Sequence, residues 1–229
     1  MNTMSETNRP SVLDDVRAAL GRQTTLSPAP LEPFVEATDK VEKDELIERF
    51  IEEAIAVRAQ VHKLSGRRHL CEKILEICAG QSGEVAISDA ELFREIDLVR
   101  ELAARNLSTF VGDKTDHEKL VARLANCGVG VTAADYGIAE TGTIVLDSDE
   151  ANALLVSLLP PTHIAVVSAE RIIATIDDAI RRTSREGMGR PNPTRSITLI
   201  TGPSRTSDVE LVLSIGVHGP KELHVIILD

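Results

Sequence analysis

The sequence predicts an α/β fold: a mostly parallel sheet covered by helices on both faces, preceded by an N-terminal helical arm. Three observations predict it. From Glu84 onward, short apolar runs at 85–87, 109–111, 129–133 and 163–168 alternate with stretches of helical period. Those runs are apolar at consecutive positions, the pattern of strands buried on both faces rather than one. And 229 residues, 42% of them hydrophobic, suffice for one sizeable core and are short for two full domains.

The elements follow in order. Residues 1–39 read as an arm and linker ahead of an α/β domain at 40–229. Ser11, with Asp14 three residues later, caps a short helix carrying Val12, Val16, Ala19 and Leu20, which Gly21 stops. Pro28, Pro30 and Pro33 make the tether that follows. The longest helical pattern runs from 43 to 64, with Leu46, Ile47, Phe50, Ile51 and Ala54 through Leu64 on its apolar stripe. A second helix, 67–78, ends at Gly80 and Gly83.

Strand 85–87 precedes a helix bearing Leu92, Phe93, Ile96, Val99 and Leu102, with a capping box at Ser88 and Glu91. Strand 109–111 precedes another, boxed by Thr115 and Glu118, with Leu120, Val121 and Leu124 inward. After strand 129–133 comes a strand, a tight polar turn at Glu140 to Gly142, and a second strand. A short helix with Leu154, Leu155 and Leu158 stops at Pro160 and Pro161. Strand 163–168, helix 172–182, a polar loop at 183–195, strand 196–201 and strand 223–228 complete the chain.

Composition removes several functions. The formal net charge is −11, and no dense run of Lys and Arg supplies the footprint of a nucleic-acid binder. With no Trp, one Tyr and four Phe, stacking platforms for bases are not expected. No apolar run reaches the length of a membrane helix, and residues 1–10 lack the apolar centre of a signal peptide. Cys71, Cys78 and Cys127 lack the spacing and the fourth ligand of a cluster site, so no iron–sulfur cluster is expected in this chain. They read as reduced core thiols of a cytoplasmic protein. No His-Glu-x-x-His or comparable spacing suggests a metal.

Two polar segments stand at strand ends. In 134–146, Asp135, Tyr136, Glu140, Thr141 and Thr143 lie between apolar runs, with Gly137 and Gly142 as hinges. By itself this is equally the description of an ordinary hairpin. In 201–210, Gly202 is followed by Ser204, Arg205 and Thr206, two hydroxyls and a planar fork suited to carboxylate or phosphate. Ligands in open α/β sheets collect beyond strand carboxyl ends. The two segments together predict a pocket in which Thr141, Gly142 and Thr143 face Gly202, Ser204, Arg205 and Thr206 around a small anion. Glu140 has three roles open to it: base, nucleophile, or ion-pair partner of Arg205. Of the histidines, only His218, bracketed by Gly216 and Gly219, is a candidate for proton handling.

The chain resembles the LUD-domain family, in its lactate utilization protein C (LutC/YkgG) group. The resemblance rests on 134–146, on Leu159-Pro-Pro-Thr-His-Ile-Ala-Val-Val167, on 201–210, and on Gly216-Val-His-Gly-Pro-Lys-Glu-Leu-His224. It implies a fold similar to the superfamily of ribose-phosphate isomerase, glucosamine-phosphate isomerase and CoA transferase. It also implies a part in oxidising L-lactate to pyruvate beside two iron–sulfur partner proteins, where the redox centres would sit. It supplies no catalytic residue. A non-catalytic assembly or regulatory subunit is the alternative.

Overall fold

The chain runs through α1 (Lys43–Ala56), β1 (Gln60–Leu64), α2 (Leu70–Cys78), β2 (Glu84–Ile87), α3 (Glu91–Glu95), α4 (Leu98–Ala103) and β3 (Thr109–Val111). There follow α5 (His117–Leu124), β4 (Cys127–Ala133), β5 (Tyr136–Ile138), β6 (Thr143–Ser148), α6 (Ala151–Leu158) and β7 (Thr162–Ser168). The last elements are β8 (Ile172–Ile173), α7 (Ile176–Gly187), β9 (Ser196–Ile200), β10 (Arg205–Ser207), β11 (Leu213–Ile215) and β12 (Glu222–Leu228). This structure, a computed structural model, describes residues 16, 18, 19, 42–111, 117–148, 151–187, 196–207, 213–216 and 218–229. Val41–Asp229 is one unit of the chain and Met1–Lys40 another. The arm expected over 1–39, apart from helical residues 16, 18 and 19, and the caps expected at Ser11 and Thr115 lie outside the described residues.

Six strands form the central sheet in the order β1-β12-β7-β4-β2-β3. Every pairing in it is parallel. Both faces are covered, which explains the consecutive apolar positions. Val85, Ile87, Val129, Val131, Ile164, Val166, Ile226 and Leu228 turn to one face. There they pack with Leu70 and Ile74 of α2, Phe93 of α3, and Leu98 and Leu102 of α4. Ala165, Val167, Val225 and Ile227 turn to the other, against Ile47, Phe50 and Ala54 of α1. On that face Ala86 and Phe110 meet Leu120 and Leu124 of α5 and Val156 of α6.

A second sheet, β8-β5-β6-β9, is antiparallel except where β5 meets β8. Ile144 and Leu146 of β6 join the α1 cluster. Tyr136, Ile138 and Val145 face the other way, toward Ile173 and toward Ala179 of α7. Lys43, at the start of α1, donates from Nζ to the carbonyl oxygens of Glu170 (3.0 Å) and Ile172 (2.8 Å), tying that helix to β8. A small β10-β11 hairpin stands apart from both sheets.

Several expectations are corrected. The helix expected over 43–64 stops at Ala56, and Gln60–Leu64 is a strand beside β12. Arg58 takes a left-handed φ of 71° at the break. Val61 and Leu64 fit a helical period, but an open parallel edge on β12 offers the backbone better partners than solvent does. The helix expected from Leu92 to Leu102 is two helices, parted at Asp97 with φ 48°. The box expected at Ser88 is not formed: Ala90 is the N-cap, and the buried Ser88 donates its amide to the Val131 carbonyl at 2.9 Å. The helix expected from Ile172 begins at Ile176, because Ile172 and Ile173 pair with Gly137 and Ile138. Thr175 supplies its cap, accepting from the Asp178 amide at 3.2 Å.

Candidate functional site

The two polar segments do approach each other, and α1 is what they approach. Thr143, 2% exposed, sits between Thr141 and Thr201, with hydroxyl separations of 2.6 Å and 2.8 Å. Gly142 has φ 61°, and a methyl group there would collide with the backbone of Ala54. Gly202 has φ 77°, and a methyl group there would collide with the Val57 carbonyl oxygen. Only glycine permits both the left-handed backbone and that approach. The turn after β5 and the loop after β9 are thus seated on one helix end.

The Arg205 guanidinium occupies the same helix end. Its Nη2 donates to the Val57 carbonyl, beside Gly202. A helix leaves its last carbonyls without intrahelical donors and carries partial negative charge there, so a guanidinium completes it. Among the described residues no ion pair joins Arg205 to Glu140. Glu140 is exposed, and its amide donates to the Ala174 carbonyl at 3.0 Å. Ser204 belongs to a different junction. Its amide donates to the Pro220 carbonyl (2.8 Å), and its carbonyl accepts from the Gly216 amide (3.1 Å), placing it beside the turn that holds the exposed His218. Thr206 lies on β10 opposite Ser214.

A cavity of about 450 Å³ opens at the carboxyl edge of the six-stranded sheet. Ala133, Val166 and Leu228, from the ends of β4, β7 and β12, form part of its lining. Its polar lining includes Arg67, Glu91, Glu95, Asp135, Ser168 and Arg171. The connection from β2 leads to β3 and that from β4 leads to β7, in opposite directions across the sheet. Such a reversal leaves a crevice between neighbouring strand ends. Arg67 pairs with Glu95 at this edge. Arg171 follows β7 in the 3-10 turn Ala169–Arg171, and its Nη1 donates to the Tyr136 hydroxyl at 3.1 Å. The same guanidinium lies 5.2 Å from the centre of the Tyr136 ring.

Sequence reasoning reached Asp135 and Tyr136 but gave the chemical roles to Glu140 and Arg205. Arg171, three residues beyond the end of β7, was not singled out from the sequence.

The model of the LUD domain matches residues 47–228. The chain belongs to the LUD-domain family. Lactate utilization protein C of Shouchella clausii is 30% identical over 229 aligned residues, covering 97% of this chain and 98% of that one. The Escherichia coli protein YkgG is 26% identical, covering 97% of this chain and 99% of that one. A crystal structure of a DUF162-family protein from Deinococcus radiodurans shares the fold, with a TM-score of 0.58 and 22% identity over 82% of this chain and 99% of that one. All twelve strands, β1 through β12, lie within the matched span of the LUD domain, and so do both polar segments.

Proposed function

We propose that the chain serves lactate utilization, as a subunit in the oxidation of L-lactate to pyruvate acting with iron–sulfur partner proteins. Full-length likeness to proteins named lactate utilization protein C is the observation that supports this reading. Oxidation of the hydroxyl-bearing carbon releases two electrons and two protons. In this reading the clusters of the partners accept the electrons, since Cys71 and Cys78 on α2 and Cys127 on β4 are three buried thiols without the close spacing and fourth ligand of a cluster site. The test is genetic and biochemical. A strain lacking the protein loses growth on L-lactate and regains it with the chain restored, and tagged chain co-purifies proteins with cluster absorbance. Undiminished growth of the deletion strain on L-lactate ends the proposal.

A small anionic ligand at the threonine corner belongs to the same reading. An anion there exchanges the Val57 carbonyl for its own oxygen on Arg205, and Glu140 or His218 handles a proton. A non-catalytic assembly subunit is the second reading, favoured by the bond from Arg205 to the end of α1. Arg205→Ala separates the two. If an anion sits there, the heat of titration with L-lactate or pyruvate disappears. If the guanidinium only closes the helix, stability falls by about 1–2 kcal/mol and any titration heat is unchanged.

A further inference from the structure

Two histidines outside the proposed function meet at an edge of the central sheet. His62 on β1 and His224 on β12 bring Nε2 and Nδ1 within 3.2 Å of each other. Their rings are tilted by only 9°, with centres 5.5 Å apart. That separation equals the nitrogen distance plus the two ring radii, so the rings lie end to end and share a straight N–H···N hydrogen bond. Nitrogens that ligate one metal ion converge on it at an angle, whereas these two face each other. β1 is the edge strand of its sheet and pairs with β12. The bond therefore ties the edge to its neighbour through side chains as well as backbone.

Gln60 sets the direction of that bond. Its amide nitrogen lies 3.4 Å from the His224 Nε2. An amide nitrogen only donates, so this Nε2 accepts and the His224 hydrogen sits on Nδ1. The His62 Nε2 then accepts from it. A first added proton goes to the His224 Nε2, which has a Glu222 carboxylate oxygen 3.7 Å away, and the bond between the rings survives. A second goes to the His62 Nε2, where it meets the His224 N–H head-on. Two N–H groups cannot share a gap of 3.2 Å, so the rings must part. The charged groups around the pair are Lys73 and Glu76 on α2, themselves an ion pair, and Glu222 on β12, which also accepts from Gln81 at 3.3 Å. Burial is the largest influence on both rings and holds each below its ordinary value. At His62 the His224 ring and Lys73 add to it and Glu76 opposes it. At His224, Glu222 opposes burial and Lys73 adds to it.

We propose that the pair is an acid-released latch: a single hydrogen between the two rings fastens β1 to β12, and a second one unfastens β1. With β1 free, both rings take up protons near the ordinary value of about 6.5. With β1 latched, the second proton is refused. The latch is therefore closed above about pH 6.5 and opens as pH falls, and an opening that takes up one extra proton is favoured tenfold per pH unit. β1 follows α1 in the chain, and the end of α1 is the seat of Gly142, Gly202 and Arg205. The latch is thus next in sequence to the helix end on which the threonine corner rests. It stands on the histidine geometry and not on the lactate reading, so the growth test can fail without touching it.

The test uses isotope-labelled full-length chain. At pH 7.5 a scalar coupling is expected across the hydrogen bond between the His62 Nε2 and the His224 Nδ1. Amide hydrogen exchange, corrected for the intrinsic rate at each pH, is expected to show protection at 60–64 falling at least about tenfold per pH unit below about pH 6. At pH 5 the amides of β4 and β7 are expected to stay protected while those of 60–64 are given up. His62→Gln keeps an acceptor for the His224 hydrogen and removes the seat of the second proton. Its protection at 60–64 is expected to fall about tenfold less per pH unit than that of wild type. A urea midpoint at pH 7.5 reports whether the variant is folded, and the wild-type coupling and exchange decide the matter without it. Absence of the coupling overturns the inference. So does protection at 60–64 that ignores pH, its loss only together with that of β4 and β7, or a folded His62→Gln with the wild-type slope.

Discussion

Thr143 and Thr201, 58 residues apart in sequence, share a hydrogen bond of 2.8 Å between their hydroxyls. Thr143 also meets the Thr141 hydroxyl at 2.6 Å, so one buried side chain joins the turn after β5 to the loop after β9. Thr143→Val keeps the shape and removes both bonds. Each net hydrogen bond contributes about 0.5–1.5 kcal/mol, and the exposed Thr201 recovers water. The expected loss is about 1–2 kcal/mol, read as a lower urea midpoint at unchanged slope. Thr201→Val is expected to lose less, and the reverse ranking would mean that the corner is not joined through Thr143.

Gly142 and Gly80 respond oppositely to the same change. A methyl group at Gly142 would meet the Ala54 backbone from a left-handed φ of 61°, whereas at Gly80 nothing lies within 4 Å. Gly142→Ala is expected to cost about 3 kcal/mol or more, through overpacking and strain together. Gly80→Ala is expected to be neutral or to stabilise by up to about 1 kcal/mol, by restricting the unfolded chain. Thermal midpoints of the two variants settle it, and a harmless Gly142→Ala would contradict the close seating of the turn on α1.

His163 makes the fold sensitive to acid. The ring is 1% exposed on β7, its Nε2 lies 2.8 Å from the Thr132 hydroxyl, and burial pushes its pKa down to about 3. The unfolded chain takes up this proton near pH 6.5 and the folded chain does not. The stabilisation is therefore complete above about pH 6.5 and is lost as pH falls toward 3, at up to about 1.4 kcal/mol per pH unit from this group. Denaturation of wild type and His163→Gln across pH 4–8 is expected to show the steeper fall in wild type. Parallel curves would assign the acid sensitivity to other groups.

The three thiols are expected to be inert in the native state. Burial pushes Cys78 and Cys127 up to about 11 and raises Cys71 above its ordinary value. The thiolate is the reactive form, so labelling by a disulfide reagent at pH 7.5 is expected to be about a hundredfold or more slower than in the unfolded chain. A single cysteine labelled at the unfolded rate would show that its burial is transient.

The legible part of this molecule was local. The runs at 85–87, 109–111 and 163–168 read as strands because parallel strands buried on both faces are apolar at successive positions. The 140–142 turn read as a turn because glycine and threonine make it. The illegible part was partnership. Val57, Val61 and Leu64 continue a helical period, yet β12 draws Gln60–Leu64 into the sheet. Arg205 stood out from its neighbours in sequence, but that its guanidinium donates to Val57, 148 residues away, was not written there.

The sequence by itself determined the class of fold, the positions of most strands, and membership of the LUD-domain family, because these are encoded in short-range pattern and in motifs that keep their order. Only the tertiary structure decided where α1 ends, what the threonine corner rests on, and that Asp135 and Arg171 line one cavity at the edge of the sheet, with Tyr136 accepting from Arg171. The physical reason is one of range. A backbone ladder, a helix-end carbonyl and a crevice between strand ends are made by groups far apart along the chain, and no local spacing records which of them will meet.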